Sequence, residues 1–438
     1  MDQPADAGER PTAGSERLHE AARSVVPGGV SHNVRAAEPY PLYVERTEDQ
    51  YLVDVDGNRY VDFWNDHGAS LLGHAHPTVV EAVTGAAADG LHFGTPNEPS
   101  LELARRALDR LPGADRLRFC VTGTEATMYA VRLARAHTGR DRVLKVEGGW
   151  HGGNTDLAHA VHAPFDAATT HGLPPGPAEH CHAFPFGDEP AVTELFEAHP
   201  GAVAAVVVDP RQATTGDADE FLRFLADTCA DEGALLVLDE VVTGLRVSPG
   251  SYAARVGIEP DLTALGKILG GGLPAGAVAG RAALFEPARP GADPDERVLA
   301  GGGTFSANPM TAAAGLATLD VIEAEPVYEH TERLGERART GLRAVLEELG
   351  VPGAVLGYSS LIQPVFDPDG PLESPTDVAT RTDRKALRAF HRGLLDRGYY
   401  FNQGTLGNVS YAHTEADVDG LLDASRAVLR GLQDDGVL

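Results

Sequence analysis

Two runs constrain the fold of this chain more than any other feature: "VAAVVVD" at 203–209 and "ALLVLDE" at 234–240. Both are apolar without interruption. A strand with one face in water alternates with period two, whereas a strand covered on both faces reads as a continuous apolar run. Between them, Phe221, Leu225 and Thr228 recur at helical spacing. Buried strand, helix, buried strand predicts a parallel unit with helices over the sheet. The same alternation starts near Arg116. There "LRFCV" (117–121) leads into a helix with Ala126, Ala130, Leu133 and Ala134 on one face, and "VLKV" (143–146) follows. The expectation is an α/β domain over residues 76–320, built on a mainly parallel sheet.

Beyond 321 the pattern changes. Helical stretches at 333–349, 383–397 and 415–432 flank "SLIQPVFD" (360–367), which predicts a smaller α+β domain over 321–438. Short strands around the turn Asp56-Gly57-Asn58 lie in a segment, 18–75, that lacks the large domain's alternation and is expected to join the smaller one. Residues 1–17 are polar and acidic, without an apolar signal core, and are expected to form a disordered tail. No apolar run reaches transmembrane length. A formal net charge of -28 opposes binding to nucleic acid or anionic membranes. Three cysteines, Cys120, Cys181 and Cys229, have no paired spacing, which suits a reducing compartment and a cytoplasmic location.

Four features carry chemistry. In "DLTALGKILGGGLPAG" (261–276), Lys267 follows an apolar strand and precedes a glycine run. A buried ammonium is costly, so Lys267 either reaches a solvent-filled cleft or is held for its amine. Asp239 closes a buried strand, at the end where α/β sheets bind ligands; a helix cap or ion pair is the plainer explanation. "TGTEA" (122–126) follows one strand and opens a helix, so Gly123 and Thr124 stand at an anion-binding position, or Thr122 is a simple N-cap. "EGGWHGG" (147–153) sets Trp150 and His151 among glycines, as a packed plug or a platform for a planar ligand. In "AGGGTFSANP" (300–309) the glycines around Thr304 would likewise let a ligand approach. A phosphate cradle, an aromatic platform, a buried carboxylate and a buried amine together have one chemical reading, pyridoxal phosphate. Its aldehyde needs an amine for a Schiff base, and its pyridine nitrogen needs an acidic partner. No metal is expected, because His180-Cys181-His182 lacks a second pair of ligands. His74 and His76 are expected to be structural.

The chain resembles the class III aminotransferases of pyridoxal-phosphate fold type I, in the branch that contains glutamate-1-semialdehyde 2,1-aminomutase. "PGGVSHNVR", "LLGHAHP", "TGTEATMYAVRLARAHTGRDRVLKVEGGWHGG", "DEGALLVLDEVVTGLR", "PDLTALGKILGGGLPAGAVAGR" and "GTFSANP" carry the resemblance, in the family's order. It implies that Lys267 forms the Schiff base and that Asp239 partners the pyridine nitrogen. Gly123 and Thr124 would bind the phosphate, with Trp150 on one face of the ring and Val241 on the other. Thr304 would reach the phosphate of a neighbouring subunit, which implies a homodimer, and Arg35 would bind a substrate carboxylate.

The sequence departs from that branch around the substrate. Asp209 stands where the family carries Glu before Pro, and the Asn that follows in the aminomutase is missing. Gly404, Thr405 and Leu406 replace an acidic element, and His67 falls near a family tryptophan. The expected activity is amino transfer from an amino-acid donor to a separate aldehyde or ketone, both small molecules. The alternatives are a glutamate-1-semialdehyde-type aminomutase, then an amino-acid racemase or epimerase, or a non-catalytic ligand-binding protein. A nicotinamide-dependent dehydrogenase is disfavoured by the lack of G-x-G-x-x-G after the first strand.

Overall fold

The structure is a computed structural model that describes residues 10–165, 171–173, 179–212, 214 and 217–438. The chain divides into two compact units, one of residues 77–325 with 371–380, the other of residues 1–76, 326–370 and 381–438.

The first unit is built on seven strands: β1 (Arg116–Cys120), β2 (Arg142–Val146), β3 (Cys181–Phe184), β4 (Val203–Val208), β5 (Leu235–Asp239), β6 (Leu262–Gly266) and β7 (Gly276–Gly280). Their order across the sheet is β1-β7-β6-β5-β4-β2-β3. Pairings from β6 to β3 are parallel, and only β7 runs antiparallel to its neighbours β1 and β6. Every residue of β4, β5, β6 and β7 is buried, the physical basis of the uninterrupted apolar runs. Helix α1 (Gly123–Thr138) buries Ala126, Ala130, Leu133 and Ala134 against the sheet, so small side chains let it pack closely.

One buried residue breaks the apolar rule. Lys145 of β2 is fully buried, and its ammonium donates to the carbonyls of Gly149 (2.7 Å), Leu157 (2.9 Å) and His159 (2.9 Å). Burial pushes its pKa down to about 8. All three donors of the ammonium are satisfied. The bonds tie one end of β2 to the loop after it, which carries Trp150 and His151. Lys145→Met would leave three buried carbonyls without a donor, at a cost of about 3–5 kcal/mol. A lower urea midpoint together with faster amide exchange across 148–159 is the expected result; an unchanged midpoint would count against it.

The second unit joins N-terminal and C-terminal segments. The strand Arg59–Asp62 pairs in parallel with Tyr399–Tyr400. Helices Val327–Leu349, Arg384–Asp396 and Glu415–Asp434 cover a core that includes Phe63, Leu342, Ile362, Phe390 and Leu421. Two sequence expectations need correction. The tail expected through residue 17 is helical from Ala13, because Asp56 accepts the N–H groups of Gly14 and Ser15 and so caps the helix Ala13–Arg23. Residues 371–380, expected within the small domain, belong with the sheet unit, where Thr376 Oγ1 donates to Glu147 Oε2 at 2.8 Å. Residues 1–9 of the tail lie outside the described residues.

Candidate active site

Strand register brings the chemistry together. Val208 pairs with Leu238, and Asp239 pairs with Ala264. Asp209, Asp239 and Lys267 therefore leave β4, β5 and β6 at the same carboxyl edge of the sheet.

Asp239 is buried at the end of β5. Its Oδ2 lies 2.7 Å from His151 Nδ1, and its Oδ1 accepts the N–H of Val241 at 3.1 Å. A carboxylate can only accept, so His151 presents Nδ1–H to it. His151 is itself held by Thr127, whose hydroxyl donates to its carbonyl at 2.8 Å. Its Nε2 is buried without a partner among the described residues. The sequence sets His151 beside Trp150 without pointing to a role for it, because the contact to Asp239 spans 88 residues.

Lys267 opens a short 3₁₀ turn with φ of 49°, a left-handed conformation that a non-glycine residue adopts only under constraint. Burial, then the positive charge of Arg211, brings its amine pKa down to about 8, against the attraction of Asp209 and Asp239. At pH 7.5 roughly a quarter of such amines are neutral, against about one in a thousand for an ordinary lysine. Asp209 is buried and its pKa is raised by burial, with Arg211 opposing.

The N-terminus of α1 is a second focus. Thr122 and Glu125 form a capping box, with the Glu125 carboxylate accepting the N–H groups of Val121 (2.9 Å) and Thr122 (3.1 Å). This leaves the N–H groups of Gly123 and Thr124 unbonded among the described residues, as an anion site requires. A side chain at Gly123 would meet both methyls of Val241 at 2.8 Å. At Gly152, where φ is 80°, one would lie 2.1 Å from Thr124 Oγ1. Only glycine lets these segments approach so closely. Val241 also abuts Gly266, just before Lys267. The Trp150 indole is 48 % exposed, so it is not a packed plug.

Two further expected site residues are exposed. Thr304 is exposed in its loop, next to Gly303, which lies against Glu125. Arg35 is exposed in a 3₁₀ turn of the other unit, capped by His32. Among the described residues one cluster has metal-ligand chemistry, Asp62, Asp66 and His74. There His74 already bonds Asp62 at 2.8 Å, and the two carboxylates raise its pKa to about 10 against the effect of burial. Cys181 is buried in β3 while His182 stacks on His199, so the His-Cys-His run does not converge on a metal.

Residues 33–382 match the family profile described as "Aminotransferase class-III". The chain is 39% identical over 445 residues to glutamate-1-semialdehyde 2,1-aminomutase of Halobacterium salinarum, covering 95% of this chain and 99% of the relative. In structure it resembles an omega-transaminase from Sphaerobacter thermophilus, with a TM-score of 0.88 and 34% identity over 95% of this chain and 97% of the other. It also resembles a transaminase with PLP bound, with a TM-score of 0.89 and 30% identity over 98% and 100% of the two chains.

Proposed function

Because this chain belongs to the class III aminotransferases, pyridoxal-phosphate enzymes of fold type I, we propose that it moves an amino group from an amino-acid donor to a separate aldehyde or ketone. The observation that carries this reading is the placement of Lys267 and the buried carboxylate of Asp239 at the carboxyl ends of adjacent parallel strands.

The residues fit the cofactor. Free N–H groups at Gly123 and Thr124 suit its phosphate, and Val241 and the Trp150 indole suit the two faces of its ring. When bound, pyridoxal phosphate supplies an aldehyde for an amine and a ring that takes up the electron pair released at the substrate carbon. Lys267 Nζ would hold that aldehyde and would carry a proton to and from the substrate carbon as general acid and base. Asp239, fixed by His151 and the Val241 N–H, would offer its carboxylate to the ring nitrogen.

We assign Thr304 to the phosphate of a second copy's cofactor in a homodimer. Beside it an apolar patch supports that assembly. Leu91 and Phe305 are 66 % and 60 % exposed, and their loops are joined by Asn308 Nδ2 donating to the Leu91 carbonyl at 3.1 Å.

Transfer between two molecules is favoured over isomerisation by the loop 403–408. There Gly404, Thr405 and Leu406 stand in place of the acidic element of the aminomutase pattern, and 403–408 holds no carboxylate. The curated relative favours the second reading, in which one substrate is both donor and acceptor, as in glutamate-1-semialdehyde aminomutase. The two separate cleanly. With glutamate-1-semialdehyde alone, we expect little product until an amino-acid donor and a separate carbonyl acceptor are added. Rapid isomerisation without a donor would establish the second reading.

A further inference from the structure

The turn after β4 holds a cation that the roles above do not use. Pro210–Gln212 forms a 3₁₀ turn at the carboxyl edge of the sheet, between the strand that ends at Asp239 and the loop that carries Trp150. Gln212 ties the turn to that loop, its Nε2 donating to the Glu147 carbonyl at 3.0 Å. Asp209 anchors the base of the Arg211 side chain. Its Oδ1 accepts the Arg211 N–H at 2.8 Å, and its Oδ2 lies 3.3 Å from Arg211 Nε. Nε thus lies in an ion pair with Asp209, while neither Nη has an acceptor among the described residues. The side chain is 31 % exposed.

We propose that Arg211 receives a carboxylate of the substrate beside Lys267, so that the enzyme selects amino and keto acids over uncharged amines and carbonyls. This rests on the amino-transfer site described above and names its substrate class. A guanidinium held at Nε presents two parallel N–H donors from its far edge, the geometry that a carboxylate accepts in bidentate fashion. Arg211 and Lys267 both follow carboxyl ends of strands in the same sheet, two strands apart, and the charge of Arg211 is among the causes that lower the Lys267 amine pKa. Serving only as counter-charge to Asp209 would not need the two Nη groups left free at a partly open surface.

The test uses the holoenzyme and unreactive probes, the straight-chain dicarboxylates from malonate to adipate and their diamides, titrated by calorimetry. At least one diacid should bind with a Kd in the low millimolar range or tighter. Arg211→Gln should weaken that diacid about tenfold or more, and Arg211→Lys by less, while the diamide changes less than about twofold. Cofactor content, measured by equilibrium dialysis, should be unaltered. The proposal is overturned if no diacid binds, if Arg211→Gln leaves diacid affinity within about twofold, or if diacid and diamide weaken together. The last result would give Arg211 a supporting role for Asp209 only. Binding of inert acids requires no transfer, so an enzyme that proved to be an aminomutase would leave this result standing.

Discussion

Replacing Asp239 with asparagine is expected to lower the rate of amino transfer about a thousandfold, or about 4 kcal/mol of barrier. The side chain keeps its volume, so packing at the end of β5 should survive. Its charge does not. One end of the amide can still accept the Val241 N–H, but the other then presents N–H groups to His151 Nδ1, which donates to the carboxylate at 2.7 Å. His151 must change tautomer or lose the bond, and the ring nitrogen loses its negative partner. Because the site is buried, little water is available to replace that charge. Single-turnover kinetics with an amino-acid donor would measure the effect, with cofactor content as the control. A rate within tenfold of the wild type would mean that another group, Asp209 being the nearest buried carboxylate in the sheet register, partners the ring.

Lys267→Ala should have a still larger effect, a loss of about 10⁴-fold or more, since one substitution removes both the amine that holds the aldehyde and the proton carrier. Cofactor binding should weaken but persist, because the N–H groups of Gly123 and Thr124 do not depend on Lys267. Added small primary amines should restore part of the rate by acting as free bases. A variant that retains even a hundredth of wild-type transfer would move the chemistry to another residue. Lys145 is the other buried lysine near the site, but all three of its donors are bound to carbonyls.

The sheet was legible because its central strands are covered on both faces, which leaves "VAAVVVD" and "ALLVLDE" without polar alternation. Lys267 and Asp239 were legible for the same reason, as charges at the ends of such runs. His151 and Lys145 were not. Their partners are an aspartate on a distant strand and three backbone carbonyls, and no local period encodes either contact. Arg211 was hidden differently, since a charged residue after a strand looks like ordinary surface until the turn at Pro210 and its anchor on Asp209 are seen. The helix from Ala13 escaped notice because its cap comes from Asp56, not from an adjacent residue. The short return of 371–380 to the sheet unit includes a side-chain bond from Thr376 to Glu147, 229 residues away, which sequence pattern cannot show.

The proposed function requires Lys267 to be the amine that reacts with pyridoxal phosphate. Borohydride reduction of the holoenzyme, followed by peptide mapping, tests it most directly, especially when the rate of covalent attachment to apoenzyme is followed across pH. A lowered pKa makes the neutral, reactive amine abundant as pH rises through about 8, so attachment should climb to a midpoint there and then level off. One modified peptide, containing Lys267, is expected with that midpoint. A modified peptide that maps elsewhere, or a midpoint near that of an ordinary lysine at about 10.4, would contradict it.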